Sequence, residues 1–200
     1  MNLFEGCEAK RLARGLAWTN EPPEWRFDDG RLLIVPAAKT DFYRPYGGGG
    51  NDSAGLLATT VEGDFTLITR VTVSLVAFGD AAAVTVRAGA TQWAKLCLER
   101  SPLGETSAVS VVTDPWSDDA NNELAPQTCS LRLTRKGNLF GMHYSVDGVT
   151  WRFVRSFAME APRSVLVGVH AQAPFEGGCR ATFVSAELRH AAVEDFRSGE

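Results

Sequence analysis

Over residues 91–100 the chain reads Thr-Gln-Trp-Ala-Lys-Leu-Cys-Leu-Glu-Arg, with Ala94, Leu96 and Leu98 on one side and Trp93, Lys95, Cys97 and Glu99 on the other. A repeat of two is that of a β-strand, whose successive side chains point to opposite faces. Other runs rich in apolar and β-branched residues, bounded by turn formers, predict strands at 31–35, 65–75, 83–87, 108–113, 130–135, 139–146, 150–157, 165–172 and 181–188. Turns about every eight to twelve residues suit an all-β, antiparallel β-sandwich. Little or no helix is predicted. Residues 1–190 read as one domain and 191–200 as a C-terminal tail that trails as a frayed end.

Two hairpins can be read with a mechanism. Lys136-Gly137-Asn138 reverses the chain between Leu133 and Leu139, the glycine supplying a positive φ. Asp147-Gly148 reads as the centre of a type I′ turn. That turn would pair Val146 with Val149, Tyr144 with Trp151, Met142 with Phe153 and Phe140 with Arg155, the aromatic side facing the core.

On the alternation, Trp93, Lys95 and Glu99 face away from the core. Val84 and Val86 point inward and Thr85 and Arg87 outward; His170 and Gln172 lie opposite Val165, Val167 and Val169. An indole beside Arg87, Lys95 and Glu99 is what a polar-ligand groove needs. The competing reading is a Lys95–Glu99 pair that merely keeps an exposed sheet wet, worth under about 1 kcal/mol.

The chain has 200 residues, enough for one well-packed sandwich. A net charge of -4 gives no electrostatic reason for a nucleic-acid partner, and no run is apolar for long enough to span a bilayer. Charges throughout the first fifteen residues do not read as a signal peptide, so a cytoplasmic location is expected. Cys7, Cys97, Cys129 and Cys179 are scattered, without a CxxC pair or a histidine at ligand spacing. They read as reduced, mostly buried thiols, and no metal or cofactor is expected. Cys97 is a nucleophile only if Lys95 stabilises its thiolate. The acidic stretch 114–123 reads as a solvated loop, since it lacks the spacing of a calcium loop.

Several stretches, in this order, resemble the DUF1349 family. They include Trp18-Thr19-Asn20-Glu21-Pro22-Pro23, Thr40-Asp41-Phe42-Tyr43-Arg44, Asn51-Asp52-Ser53-Ala54-Gly55, Trp93-Ala94-Lys95-Leu96-Cys97-Leu98-Glu99, Tyr144-Ser145-Val146-Asp147-Gly148-Val149-Thr150-Trp151, and Val167-Gly168-Val169-His170-Ala171-Gln172-Ala173-Pro174. The resemblance spans about residues 10 to 190. It implies a concanavalin A-like (lectin/glucanase) jelly roll, and through a yeast member described as a regulator of enolase it implies a protein partner. Where the family pattern reads tyrosine-aspartate-glutamine-x-glycine, this chain has Phe78-Gly79-Asp80-Ala81-Ala82. The glutamine and the glycine are missing, and with them the basis for a ligand contact from that turn.

The expected function is non-enzymatic binding of a small polar ligand, a carbohydrate, on the concave face of the sandwich. The expected ligand-binding residues are Tyr43, Arg44, Arg87, Trp93, Lys95, Glu99, Trp116, His170 and Gln172. Trp93, Tyr43, Tyr46 and Trp116 would supply aromatic faces, and the rest planar polar groups. The alternative is a protein–protein regulatory module. A weaker alternative is glycoside hydrolysis using Glu99, which needs a second carboxylate about 5 Å or about 6.5–9.5 Å away. In glucanases of this fold both stand on one strand; here Cys97 and Lys95 occupy those positions, leaving Asp118, Asp119 or Glu123 as partners from elsewhere.

Overall fold

A computed structural model describes all residues, Met1–Glu200. Sixteen strands follow one another, with no helix. In chain order they are β1 (Ala17–Thr19), β2 (Glu24–Asp28), β3 (Arg31–Val35), β4 (Phe42–Tyr43), β5 (Asn51–Asp52), β6 (Gly55–Glu62), β7 (Phe65–Ser74) and β8 (Ala81–Gly89). There follow β9 (Gln92–Arg100), β10 (Thr106–Thr113), β11 (Ser117–Leu124), β12 (Thr128–Lys136), β13 (Leu139–Ser145), β14 (Arg152–Ala158), β15 (Ser164–Gln172) and β16 (Arg180–Arg189).

Two seven-stranded antiparallel sheets form the sandwich. Their orders are β1-β6-β15-β8-β9-β10-β11 and β14-β13-β12-β7-β16-β3-β2. This is the jelly-roll sandwich expected from the concanavalin A-like resemblance. One apolar core of 35 buried residues lies between the sheets, with Ala94, Leu96 and Leu98 from β9, Val84 and Val86 from β8, and Leu131 and Leu133 from β12. The inward set of β9 is thus the one its alternation predicts, and Trp93 and Cys97 belong to separate clusters outside that core. Gly168 permits β15 to approach β6 closely, because a Cβ there would collide with the Leu57 carbonyl oxygen.

Several elements differ from the sequence reading, among them the short strands β1, β2, β4 and β5, which it does not predict. β6 was not predicted: its first four residues are all buried, so it shows no alternation. The stretch read as an acidic loop is the edge strand β11, paired with β10 from Ser117–Thr113 to Leu124–Ser107. The Asp147-Gly148 hairpin has another register. Asp147 Oδ1 accepts hydrogen bonds from Ser145 Oγ and from the amides of Val149 and Thr150, at 2.9, 2.8 and 2.7 Å. These bonds widen the turn, so Tyr144 faces Arg152, and a bulge at Met142/His143 then sets Phe140 against Phe157.

The tail is docked on the outer face of the second sheet. Phe196 is 8% exposed and lies over Gly141, and the Phe196 carbonyl accepts from His143 Nε2 at 2.9 Å. No helix is long and apolar enough to cross a membrane.

Candidate functional site

The outer face of the first sheet carries the predicted residues. Register aligns Thr85, Lys95 and Val111 across β8, β9 and β10, and Ala81, Glu99 and Ser107 likewise. Residues 40–54, which include the β4–β5 pair, lie over part of this face. Their anchors are Thr40 to Ala173, Arg44 to Ser117, and Asp52 to Arg87 at 2.6 Å. The loop divides the face into a roofed half and an open half.

Trp93 falls under the roof. Its ring is fully buried, edge-on to Phe42 at 5.7 Å, among Ala54, Leu56 and Ala58. It lies outside the interlayer core, as its strand parity requires, but it is not an open platform. The expectation of a ligand-facing indole is corrected here: the side chain packs against a loop about fifty residues earlier in the chain. Arg87 belongs to the same half, clamping Asp52 with its side chain against Phe42.

Below the roof edge a hydrogen-bonded chain crosses the sheet. Lys95 Nζ donates to Asp41 Oδ1 at 3.0 Å and to Gln172 Oε1 at 2.7 Å. Gln172 Nε2 donates to the Gly79 carbonyl at 3.0 Å, which fixes the amide orientation. His170 Nε2 lies 3.1 Å from that same Gln172 oxygen, so it carries the proton and donates; Nδ1 then accepts from Thr85 Oγ1 at 2.7 Å. Burial, with Lys95 nearby, pushes His170 down to about 3, so its ring is neutral. Burial alone would lower Lys95; Asp41, foremost among the surrounding acidic groups, reverses the sign and keeps it an ammonium. His170 is fully buried under the roof against Phe42 and positions Gln172 from the side.

The open half is a pocket of about 290 Å³ in which Tyr43, Lys95, Glu99 and Gln172 come together. Its remaining wall includes Asp41, Asp119, Val109 and Val111, with Phe78 and Phe175 stacked at 5.7 Å on the rim. Glu99 pairs with no protein group: Lys95 turns to Asp41, so the bland Lys95–Glu99 pair does not form. Burial lifts the Glu99 carboxyl to about 7; Lys95 opposes the rise, and Asp41 and Asp119 add to it. The Tyr43 phenol is held above its usual range by burial and by Asp119 and Asp41.

A raised carboxyl pKa stabilises the fold below the unfolded-state value and loses that contribution as pH climbs through the folded-state value. Glu99→Gln should therefore match the wild type in stability near pH 4.5. By pH 8 it should exceed the wild type, by on the order of 2 kcal/mol. Urea unfolding of both proteins across that range reads the difference. A constant offset at every pH would show that Glu99 titrates normally.

Arg44 and Trp116 stand outside the pocket. The Arg44 guanidinium lies 5.8 Å from the Trp116 ring and its Nε donates to the Pro115 carbonyl at 3.1 Å; Tyr46 packs edge-on to Trp116. They form an exposed cluster at the β11 edge. Of the adjacent carboxylates, Asp118 pairs with Arg155 at 2.8 Å on the opposite side of β11, and Asp119 enters the pocket. Cys97 is no nucleophile: burial drives its thiol up despite Lys95. All four cysteines are free thiols.

Phe78, Pro174 and Phe175 were missed as pocket residues, and Asp119 was named only as a candidate carboxylate partner of Glu99. The first lies in the turn that departs from the family pattern, and Phe175 stands three residues beyond the end of β15. Only the exposure of two phenylalanines, 47% and 56%, marks them out, and that is a property of the fold.

Comparison with known proteins agrees with this architecture. The family described as "Protein of unknown function (DUF1349)" matches residues 18–191. The chain is 30% identical over 175 residues to "Regulation of enolase protein 1" of Saccharomyces cerevisiae, covering 86% of this chain and 87% of that one. The crystal structure of a functionally unknown protein from Saccharomyces cerevisiae superposes with a TM-score of 0.83 at 28% identity, covering 88% of this chain and 96% of the other. The GH43 protein BlXynB of Bacillus licheniformis superposes at 0.73 with 13% identity, over 94% of this chain but 39% of its own, a likeness of fold alone. With its family motifs, sheet order and yeast relative in agreement, the chain belongs to the DUF1349 family.

Proposed function

We propose that this protein binds a small polar ligand, a carbohydrate, in the open pocket, without catalysing a reaction on it. The observation that carries this reading is one pocket joining an unengaged, half-buried Glu99 to a stacked, exposed phenylalanine pair. A pyranose offers an apolar face for Phe175 and hydroxyls for planar acceptors and donors; Glu99, Asp119 and Tyr43 supply these. Lys95 and Gln172 form the polar floor. In this reading the aromatic role expected of Trp93 passes to Phe78 and Phe175. The protein is cytoplasmic in this reading, which four free thiols support.

A thermal-shift and calorimetric screen with pyranose mono- and disaccharides tests this reading. A saturable response should weaken about three- to tenfold in Phe175→Ala, the range for an aromatic contact. No response to any sugar would sink it. Turnover of chromogenic glycosides, lost in Glu99→Gln, would replace binding with hydrolysis.

A second reading, regulation through a protein partner, is favoured by the yeast relative's name and by the exposed Phe78–Phe175 pair beside Val76. Capture of purified enolase by the wild type but not by Phe78→Ser/Phe175→Ser would establish it.

A further inference from the structure

The outer face of the second sheet holds a buried arginine whose charge its own chain does not meet. Arg132, on β12, is 4% exposed, and its Nε and Nη2 have no hydrogen-bond partner. Those two N–H groups share one edge of the planar guanidinium and run parallel, the geometry that grips two oxygens of a carboxylate or phosphate. Trp151 packs against the group, its ring centre 4.2 Å from Cζ. That contact steadies the plane without using the free edge.

Arg132 opens onto a cleft of about 400 Å³ whose lining also includes Thr66, Arg189 and Val193. Arg189 adds a second cation, and its nearest carboxylate, Glu187, stands 4.0 Å away on the same strand. Glu194 and Glu200 line the cleft as well, yet neither meets the free edge of Arg132. A buried ion of this kind is expected to have an acceptor.

We propose that this cleft binds a small oxyanion, a carboxylate or phosphate group, side-on to Arg132 with Arg189 beside it. The docked tail is its cover. Gly199 lies against Arg132 Nη2, so the anion enters as residues 199–200 lift. The strap upstream stays anchored by Phe196 over Gly141, the Val193 amide on Thr134 Oγ1 and Thr66 Oγ1 on the Ala191 carbonyl.

The test is calorimetric titration of the full chain with sodium phosphate and, separately, sodium malonate, at ionic strength fixed with sodium chloride. Saturable binding of either supports the proposal, and the preferred anion identifies the chemistry. Arg132→Met should weaken it at least about tenfold while raising Tm, because a buried unpaired charge is replaced by an apolar chain. Arg189→Gln, altering an exposed side chain, should fold normally and weaken binding about threefold. Absence of saturable binding by both anions overturns the proposal. So does binding unchanged in Arg189→Gln and Arg132→Met.

Discussion

Asp41→Ala should lower the stability of the fold by about 3–5 kcal/mol, the range for breaking a buried ion pair from one side. The Lys95 side chain is 2% exposed and that of Asp41 16%, so removing the carboxylate leaves a largely desolvated ammonium. Gln172 alone would remain to it. The substitution also removes the acceptor of the Phe42 amide, at 2.7 Å, and so loosens the roof. Lys95→Met should cost less, about 1 kcal/mol, because the orphaned Asp41 still reaches solvent. Asp41→Ala combined with Lys95→Met should recover most of the single Asp41→Ala loss, a coupling readable in a double-mutant cycle by urea unfolding. A cost under 1 kcal/mol for Asp41→Ala would mean that Lys95 is not held as a buried ammonium.

Trp93→Ala should cost a similar 3–5 kcal/mol, as large aromatic truncations in closed packing do. Its ring packs edge-on to Phe42 among Ala54, Leu56 and Ala58, small or medium side chains that leave most of its volume as a void. Trp93→Phe separates packing from polarity. The indole Nε1 is buried without an acceptor, so phenylalanine discards an unmet donor and should cost no more than about 1 kcal/mol. Neither effect involves a ligand. If Trp93→Ala leaves the unfolding midpoint unchanged, the roof does not close over the ring.

The parity of β9 was legible because one face of that strand meets the interlayer core and the other does not. That alternation put Lys95 and Glu99 on the correct side and Cys97 with them. It could not say whether the face is open or covered, since the cover comes from residues 40–54, whose two short strands carry almost no periodic signal. Trp93 therefore looked like a platform. β11 was hidden for a different reason: an edge strand of Asp, Asn and Ser exposes both faces, so composition speaks for a loop. Knowing that strand would have separated Asp118 from Asp119 by parity alone. His170 and Gln172 were placed on the right face, but their roles depend on neighbours distant in sequence. Gln172 touches the pocket through Lys95 and Gly79, while His170 is buried under the roof.

The division of the outer face into framework and pocket is the claim on which the binding proposal rests. Heteronuclear NMR of the labelled chain during titration with pyranose disaccharides examines both halves at once. Resonances of Tyr43, Glu99 and Phe175 should shift in a saturable way, while the Trp93 indole N–H stays where it is. Shifts centred on the Trp93 indole, with Glu99 and Phe175 unmoved, would contradict the account.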